Sequence, residues 1–384
     1  MAKPRNILLL IETSKAFGRK LLQGIARYMS EGNCDWAVYV EERGKRERLP
    51  SWVNHFDVDG VIAHSSSGAV VDALRQLDVP MIETDMCGMD RNVPIVYSDE
   101  DALVDAAIDH FLPRGIRRLA WCQIVDRDWC RFRYNAFQRR LCARGLELAA
   151  HYVPKRKRAI QWLHQRSELG EWLGTLEYPT GILCSNDLCG TRLLEAARLA
   201  RISVPDQVAV VGVDNDPVLC GMSWPPLSSI EQNAEQIGYL SAGQLQSMLD
   251  GGPWPSKPIW VRPTGVETRR SSDIIAIGEP DMVSAIQYIR DHSLSGINVN
   301  DVVRHVSVSR SHLERLFREH VGRSPKAEIQ RIRLDHAKRM LQGNQSIANV
   351  AAACGFKTSQ YFANVFQREF EMTPGQWRQQ HGGL

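Results

Sequence analysis

From residue 6 to about residue 270 the chain alternates short apolar runs with longer amphipathic stretches. The apolar runs are Asn6 to Thr13, Trp36 to Glu41, Gly60 to His64, Val79 to Glu83, Ile95 to Tyr97, Arg118 to Ile124, Leu146 to Val153, Gly181 to Ser185 and Val208 to Val213. Lys15 to Met29, Asp101 to Leu112, Tyr134 to Arg144 and Leu188 to Ala200 carry helical spacing between them. Strands apolar along their whole length, alternating with such helices, belong to parallel sheets covered on both faces. This stretch exceeds one doubly wound sheet, so the pattern predicts an α/β fold of two lobes. A late return, Ser228 to Asn233, then Ala234 to Leu249, then strands within Ile259 to Thr268, predicts a hinge crossing.

The polar segment from Thr268 through Pro280 ends the alternation and marks a boundary. The expected organisation is a sensing domain over 1–272, a linker over 273–280 and an all-α domain over 281–384. That last domain opens with Met282, Val283, Ile286 and Ile289 on one helical face.

The helical tail contains one pattern twice. The first copy runs through Val299, Val302 and Val303, a turn at Ser307-Val308, and a helix carrying Leu313, Leu316 and Phe317 after Ser309. The second runs through Ile347, Val350 and Ala351, a turn at Gly355-Phe356, and a helix carrying Phe362, Val365, Phe366 and Phe370 after Thr358. Each reads as a helix-turn-helix, and a duplicated unit of that kind suits a repeating partner such as duplex DNA. Ser309 is placed as an N-cap. At 100° per residue the first outward face carries Ser311, Arg315 and Arg318 with Glu314 on its flank. The second carries Gln360, Asn364 and Gln367, with Ser359 at the helix start. Arg pairs with guanine and Asn or Gln with adenine in the major groove. Glu314 either reads cytosine or pairs with a neighbouring Arg. Lys326 to Leu341 reads as one connecting helix, with Ile329, Ile332, Ala337, Met340 and Leu341 as its buried stripe. Its length of roughly 24 Å would set the two second helices into successive major grooves.

Charge supports the same division. Residues 281 to 384 hold 14 Lys and Arg against 9 Asp and Glu, a balance of +5, which leaves −2 on the rest of the chain. The basic part coincides with the duplicated unit. Lys155-Arg156-Lys157-Arg158 reads instead as a solvated loop of the first domain. Nine cysteines are scattered without a CxxC pair, so they read as reduced core residues of a cytoplasmic protein, with no metal and no cofactor expected. The run Ile7 to Ile11 is too short for a signal peptide or a membrane span.

Ser309 to Phe317 (SxxxLxRxF), Gly355-Phe356, Tyr361 to Phe366 (YFxxxF) and Met372 to Arg378 (MTPxxWR) resemble the AraC-type DNA-binding domain. Asn364 departs from that pattern, which often has Arg there. The first 270 residues resemble the sugar-sensing core of LacI-type repressors and periplasmic sugar-binding proteins. That resemblance rests on Cys184-Ser185-Asn186-Asp187, Val211-Gly212-Val213-Asp214-Asn215, Leu227-Ser228-Ser229-Ile230-Glu231-Gln232 and Arg133-x-x-Ala136-Phe137, where Gly is usual before the aromatic residue. No helix-turn-helix stands before the first strand, unlike LacI-type chains. A sensing core followed by an AraC-type tail, with Thr13 to Arg19 and Glu267 to Asp273, is similar to the bacterial xylose operon regulators.

The resemblance implies a sugar-responsive transcription regulator, an activator of pentose catabolism with D-xylose as effector. It implies operator DNA, a homodimer and RNA polymerase as partners, and no membrane. In such a fold the ligand lies between the lobes at the carboxyl ends of the strands. The candidates there are Asp214, Asn186, Asp187, Ser14, Lys15 and Arg133, whose guanidinium suits two adjacent hydroxyls, with Trp129 and Phe132 as a stacking face. Asp187 either meets ligand or caps the helix from Leu188, and Ser14 either meets ligand or caps the first helix. Trp129 and Phe132 are either the stacking face or ordinary core. The other classes are a transport-type binding protein, which would need an export signal and no DNA-binding tail, and a DNA-repair enzyme with a reactive cysteine. None of the nine cysteines has a recognisable nucleophile setting, and no enzyme is expected.

Overall fold

Ile7, Leu9 and Ile11 face one core and Leu8 and Leu10 another, all five buried. That two-sided burial follows from period-2 alternation in a strand covered above and below. The strand is β1 (Arg5–Ile11), in a parallel sheet ordered β2 (Trp36–Glu42), β1, β3 (Gly60–Ala63) and β4 (Met81–Glu83). A parallel bridge between Glu83 and Ile95 leads on to β5 (Val96–Ser98). The computed structural model describes residues 4–32, 34–42, 57–65, 67–154, 162–273, 280–341 and 345–381. The Lys155 to Arg158 run and residues 274–279 of the expected linker lie outside the described residues.

The chain divides into two compact units, Met1–Ile274 and Ile275–Leu384. In the first, helices α1 (Ala16–Ser30) and α2 (Gly68–Arg75) cover the first sheet. The chain then crosses into a second lobe built on β6 (Arg118–Cys122), β7 (Leu148–Tyr152), β8 (Thr180–Cys184), β9 (Val208–Val213) and β10 (Ser228–Glu231). Helices α3 (Glu100–Phe111) and α4 (Asp128–Ala143) pack on one face of that sheet, α5 (Trp162–Gly174) and α6 (Asp187–Leu199) on the other. α7 (Pro217–Met222) follows β9.

After β10 the chain returns. Helix α8 (Ala234–Leu249) packs along α1, β11 (Ile259–Val261) pairs with β5, and β12 (Gly265–Glu267) pairs antiparallel with β10. Three segments therefore link the lobes, and Asp99 N to Val261 O (2.9 Å) and Thr264 N to Glu231 O (3.0 Å) tie them together. The crossing expected from the apolar pattern is this hinge.

Among the described residues of the first unit, α2, α5 and the six-residue α7 escaped the sequence pattern. α2 and α7, eight and six residues long, owe their stability to packing rather than to a long periodic stripe. The expected helix from Tyr134 begins at Asp128, so Trp129, Phe132 and Arg133 stand on α4 itself. Its outer face is so rich in Arg that the first turns lack a legible stripe.

In the second unit α9 (Pro280–His292) precedes α10 (Val299–Val306) and α11 (Arg310–Val321), and α12 (Pro325–Leu341) connects them to α13 (Ile347–Ala353), α14 (Ser359–Phe370) and α15 (Pro374–His381). The caps repeat with the pattern. Asn298 and Ser346 cap α10 and α13, and Ser309 and Thr358 cap α11 and α14. Ser324 and Thr373 each accept from the amide three residues on. α12 lends Ile329 to the first core and Leu334, Ala337 and Leu341 to the second. Ile332 and Met340, expected in its stripe, are only partly buried.

Candidate effector site and nucleic-acid interface

β9 ends in two consecutive non-glycine residues with left-handed backbone, Asp214 at φ 108° and Asn215 at φ 47°. Such backbone is costly and persists only where its surroundings hold it. Here Asp214 N donates to Ile230 O, Asn215 N donates to Ser229 Oγ (3.0 Å), and Gln232 Nε2 donates to Asp214 Oδ1 (2.5 Å). Lys20 of α1 donates to the carbonyls of Asp214 (3.1 Å) and Asn215 (3.3 Å) and pairs with Glu231. Burial raises the Asp214 carboxyl above its ordinary value against the opposing pull of Arg133.

Arg133 is 1% exposed. The sequence expectation has its fork serve two adjacent ligand hydroxyls; in the structure protein groups engage it. Nε and Nη2 donate to the two Glu100 oxygens (2.7 and 2.8 Å), Nη1 to Ser185 O (2.6 Å), and Nη2 also to Gln232 Oε1 (3.0 Å). A charge sealed from water needs such partners, and bidentate geometry with a carboxylate is the strongest available. A chain Glu100, Arg133, Gln232, Asp214 thus fixes the end of β9 from two helices.

The cap of α6 is Asn186, which accepts from Cys189 N (3.0 Å). Asp187 is not the cap. It is 1% exposed and accepts from Asp216 N (2.7 Å) and Ser229 Oγ (2.5 Å), with Gly212 below. A Cβ on Gly212 would lie 2.2 Å from Asp187 Oδ1, so only glycine leaves room for this carboxyl. Burial first, then the neighbouring Asp214, pushes Asp187 up to about 8. Trp129 lies half-buried with Arg133 over its ring at 5.4 Å, and Phe132 is exposed.

On the first lobe, Ser14 does not cap α1, whose N-cap is Lys15 without a side-chain bond. Both serve Glu12 instead: Ser14 Oγ donates to it at 2.6 Å and Lys15 pairs with it at 2.9 Å. Burial raises Glu12, but these two partners prevail and hold it below the ordinary range. Around it stand residues absent from the sequence candidates: Phe17, whose ring meets His64 at 5.0 Å, with His64 reaching Thr84 O (2.8 Å) and lying 4.0 Å from Asp85. Glu83 is fully buried, accepts from Ser65 N and Thr84 N on Oε1, and is pushed up to about 8 by burial. Ser65 Oγ, Glu83 Oε2, Ser98 Oγ and Ser185 Oγ are buried without a hydrogen-bond partner, at or just past the carboxyl ends of β3, β4, β5 and β8. Buried polar atoms are rarely left so. Strand-end position alone marks Glu12, Glu83 and Asp85, a signal the sequence contained.

In the helical unit, Ser311, Arg315, Arg318, Ser359, Gln360, Asn364 and Gln367 are all exposed on α11 and α14. Glu314 pairs with Arg310 (3.0 Å) and Arg315 with Glu319 (3.2 Å), so both hold an intrahelical partner. Gln360 donates to Asn364 (3.3 Å). Between the two copies lies a cleft of about 480 Å³ lined by four cations the sequence did not single out, Arg310, Lys326, Arg333 and Lys357, with Asn298, Asn300, Gln330 and Tyr361. Arg310 belongs to α11, Lys326 and Arg333 to α12 and Lys357 to the turn before α14, which is why no run in the sequence shows them.

Three family models match in succession: the XylR N-terminal domain over residues 6–92, a periplasmic binding protein-like domain over 108–272 and a helix-turn-helix domain over 302–380. The chain is 31% identical over 386 residues to the xylose operon regulatory protein of Escherichia coli K12, covering 98% of this chain and 97% of that one. The chain belongs to the xylose operon regulator family. The Haemophilus influenzae member is 30% identical over 381 residues, with 97% and 98% covered. A solved structure described as the xylose-binding transcription activator XylR superposes over 100% of both chains with a TM-score of 0.75 at 29% identity. The lac repressor dimer bound to operator shares the fold of the sensing unit, with a TM-score of 0.57 at 16% identity over 70% of this chain and 94% of that one. This member of the xylose operon regulators is a sugar-responsive DNA-binding transcription regulator and not an enzyme. Among the described residues no helix is long and apolar enough to cross a membrane.

Proposed function

We propose that this regulator is a D-xylose-dependent activator of pentose-catabolism genes. The observation that carries the reading is the set of buried polar atoms without partners at strand ends of both lobes, together with the strained Asp214 turn at the end of β9. A polyol offers several hydroxyls at once, and each can satisfy one such atom. The relatives named for xylose narrow the polyol to a pentose.

In this reading Asp214, Asn186, Ser14 and Lys15 meet the sugar, Trp129 and Phe132 offer it an apolar face, and Arg133 and Asp187 position the loops rather than bind. The sugar favours a closed arrangement of the lobes about the three-segment hinge, through its higher affinity for that state. Outward residues of α11 and α14, Ser311, Glu314, Arg315, Arg318, Ser359, Gln360, Asn364 and Gln367, read bases in two major grooves. The basic cleft between the copies receives the intervening phosphate backbone, which positions but does not specify. The regulator acts in the cytoplasm as a homodimer and contacts RNA polymerase.

The Arg-bearing face of α11 and the amide-bearing face of α14 read unlike half-sites, so the target of one subunit has a direction. Calorimetric titration of the purified chain with D-xylose tests the effector. Saturable heat supports it, and silence at millimolar sugar with a response to another sugar replaces the pentose.

A further inference from the structure

Cys122 ends β6, Cys184 ends β8, and the two are register partners on adjacent strands, on the same face of the sheet. Cys189 stands in the first turn of α6, directly above them. All three are fully buried, and their sulfur atoms lie within 4.8 Å of one another. Cys189 Sγ is 3.5 Å from Cys122 Sγ.

Three ligands around one metal at about 2.3 Å sit about 4.0 Å apart when the arrangement is planar. The trio is therefore at coordinating separation without backbone movement. Thiolates select soft ions. Among the described residues no carboxylate or imidazole joins the three sulfurs, and zinc in a closed site takes four ligands. A three-sulfur set suits an ion content with three. The amino end of α6, where Asn186 caps and the first-turn amides converge, stabilises negative charge on Cys189.

We propose that Cys122, Cys184 and Cys189 bind one Cu(I) ion in a three-coordinate sulfur site. Each S–Cu bond replaces an S–H bond and its proton passes to solvent, so no electron changes hands. The site lies under the Cys184 to Asp187 loop but uses none of the residues assigned to the sugar.

The test titrates the reduced full-length protein with Cu(I) under anaerobic conditions, in competition with a chromophoric Cu(I) chelator. X-ray absorption on the loaded protein then counts its ligands. The expected result is one tightly held equivalent with three sulfur ligands, lost in Cys122→Ala and Cys189→Ala and kept in Cys142→Ser, which alters an exposed thiol. Failure of the wild type to hold an equivalent against the chelator overturns the proposal. So does retention of that equivalent in both alanine variants, or a ligand set other than three sulfurs. Where a variant does not fold, the sulfur count on the wild type decides.

Discussion

Arg133 grips Glu100 through two parallel hydrogen bonds, 2.7 Å from Nε to Oε2 and 2.8 Å from Nη2 to Oε1, with both side chains sealed from water. The pair locks α4 to α3 at the base of the second lobe. Removing one partner leaves the other charge buried and alone, at a cost of about 3–5 kcal/mol. Arg133→Ala is expected to lose that much stability in denaturant unfolding. A loss below about 1 kcal/mol, in the range of an exposed ion pair, would show that the fork is not engaged.

Glu83 ties acid chemistry to stability. Its ordinary value is 4.5 and burial pushes it up to about 8, so the folded chain keeps a proton that the unfolded chain releases. The contribution is complete below about pH 4.5 and is lost as pH rises toward 8. Glu83→Gln removes this dependence. Its stability relative to wild type should rise by about 1.4 kcal/mol per pH unit between those limits and level off above them. Urea unfolding from pH 5 to 8 checks it, and parallel curves for the two proteins would contradict it.

Most of the architecture was legible in the chain. The runs at Ile7 to Ile11 and Val208 to Val213 could only be strands buried on both faces, and the 48-residue repeat of Val302/Val350 and Ser307/Gly355 required two like motifs. The site was less legible. Asp214 stood out as a candidate by its strand-end position together with the resemblance to LacI-type cores, but what a side chain touches often depends on segments far away in sequence. Arg133 met Glu100 and Gln232, 33 and 99 residues away, contacts that no spacing encodes. The cysteine trio was hidden for the same reason, since β6 and β8 become neighbours only through the sheet order.

Ser307 and Gly355 occupy equivalent turns, both left-handed, at φ 55° and 74°. Their surroundings differ. A Cβ at Gly355 would stand 2.7 Å from Leu294 O and 2.9 Å from Gly296 N, which are backbone atoms that cannot rotate away. Gly355→Ala should cost at least about 1–2 kcal/mol from backbone strain alone, with weakened DNA binding. Ser307→Gly should change stability by less than about 1 kcal/mol. Thermal unfolding of the two variants decides, and equal effects would mean that the second turn is not packed as described.

Two kinds of DNA contact separate by salt and sequence. Arg315→Ala should lose discrimination at one base pair, about 1–3 kcal/mol. Lys357→Ala, in the basic cleft, should weaken specific and random DNA alike and reduce the salt slope by about 1. Fluorescence anisotropy at several salt concentrations measures both. The reverse pattern would exchange the roles of helix face and cleft.

The proposed function has the sensing unit close on a pentose at the Asp214 turn. Its most direct measurement is calorimetric titration of the full chain and of Asp214→Asn with D-xylose, alongside thermal unfolding. Saturable heat is expected for the wild type, with a stabilisation of about 2.7 kcal/mol at a sugar concentration one hundred times Kd, both lost in Asp214→Asn. Undiminished xylose binding by a folded Asp214→Asn, or no heat from the wild type at millimolar xylose, would contradict it.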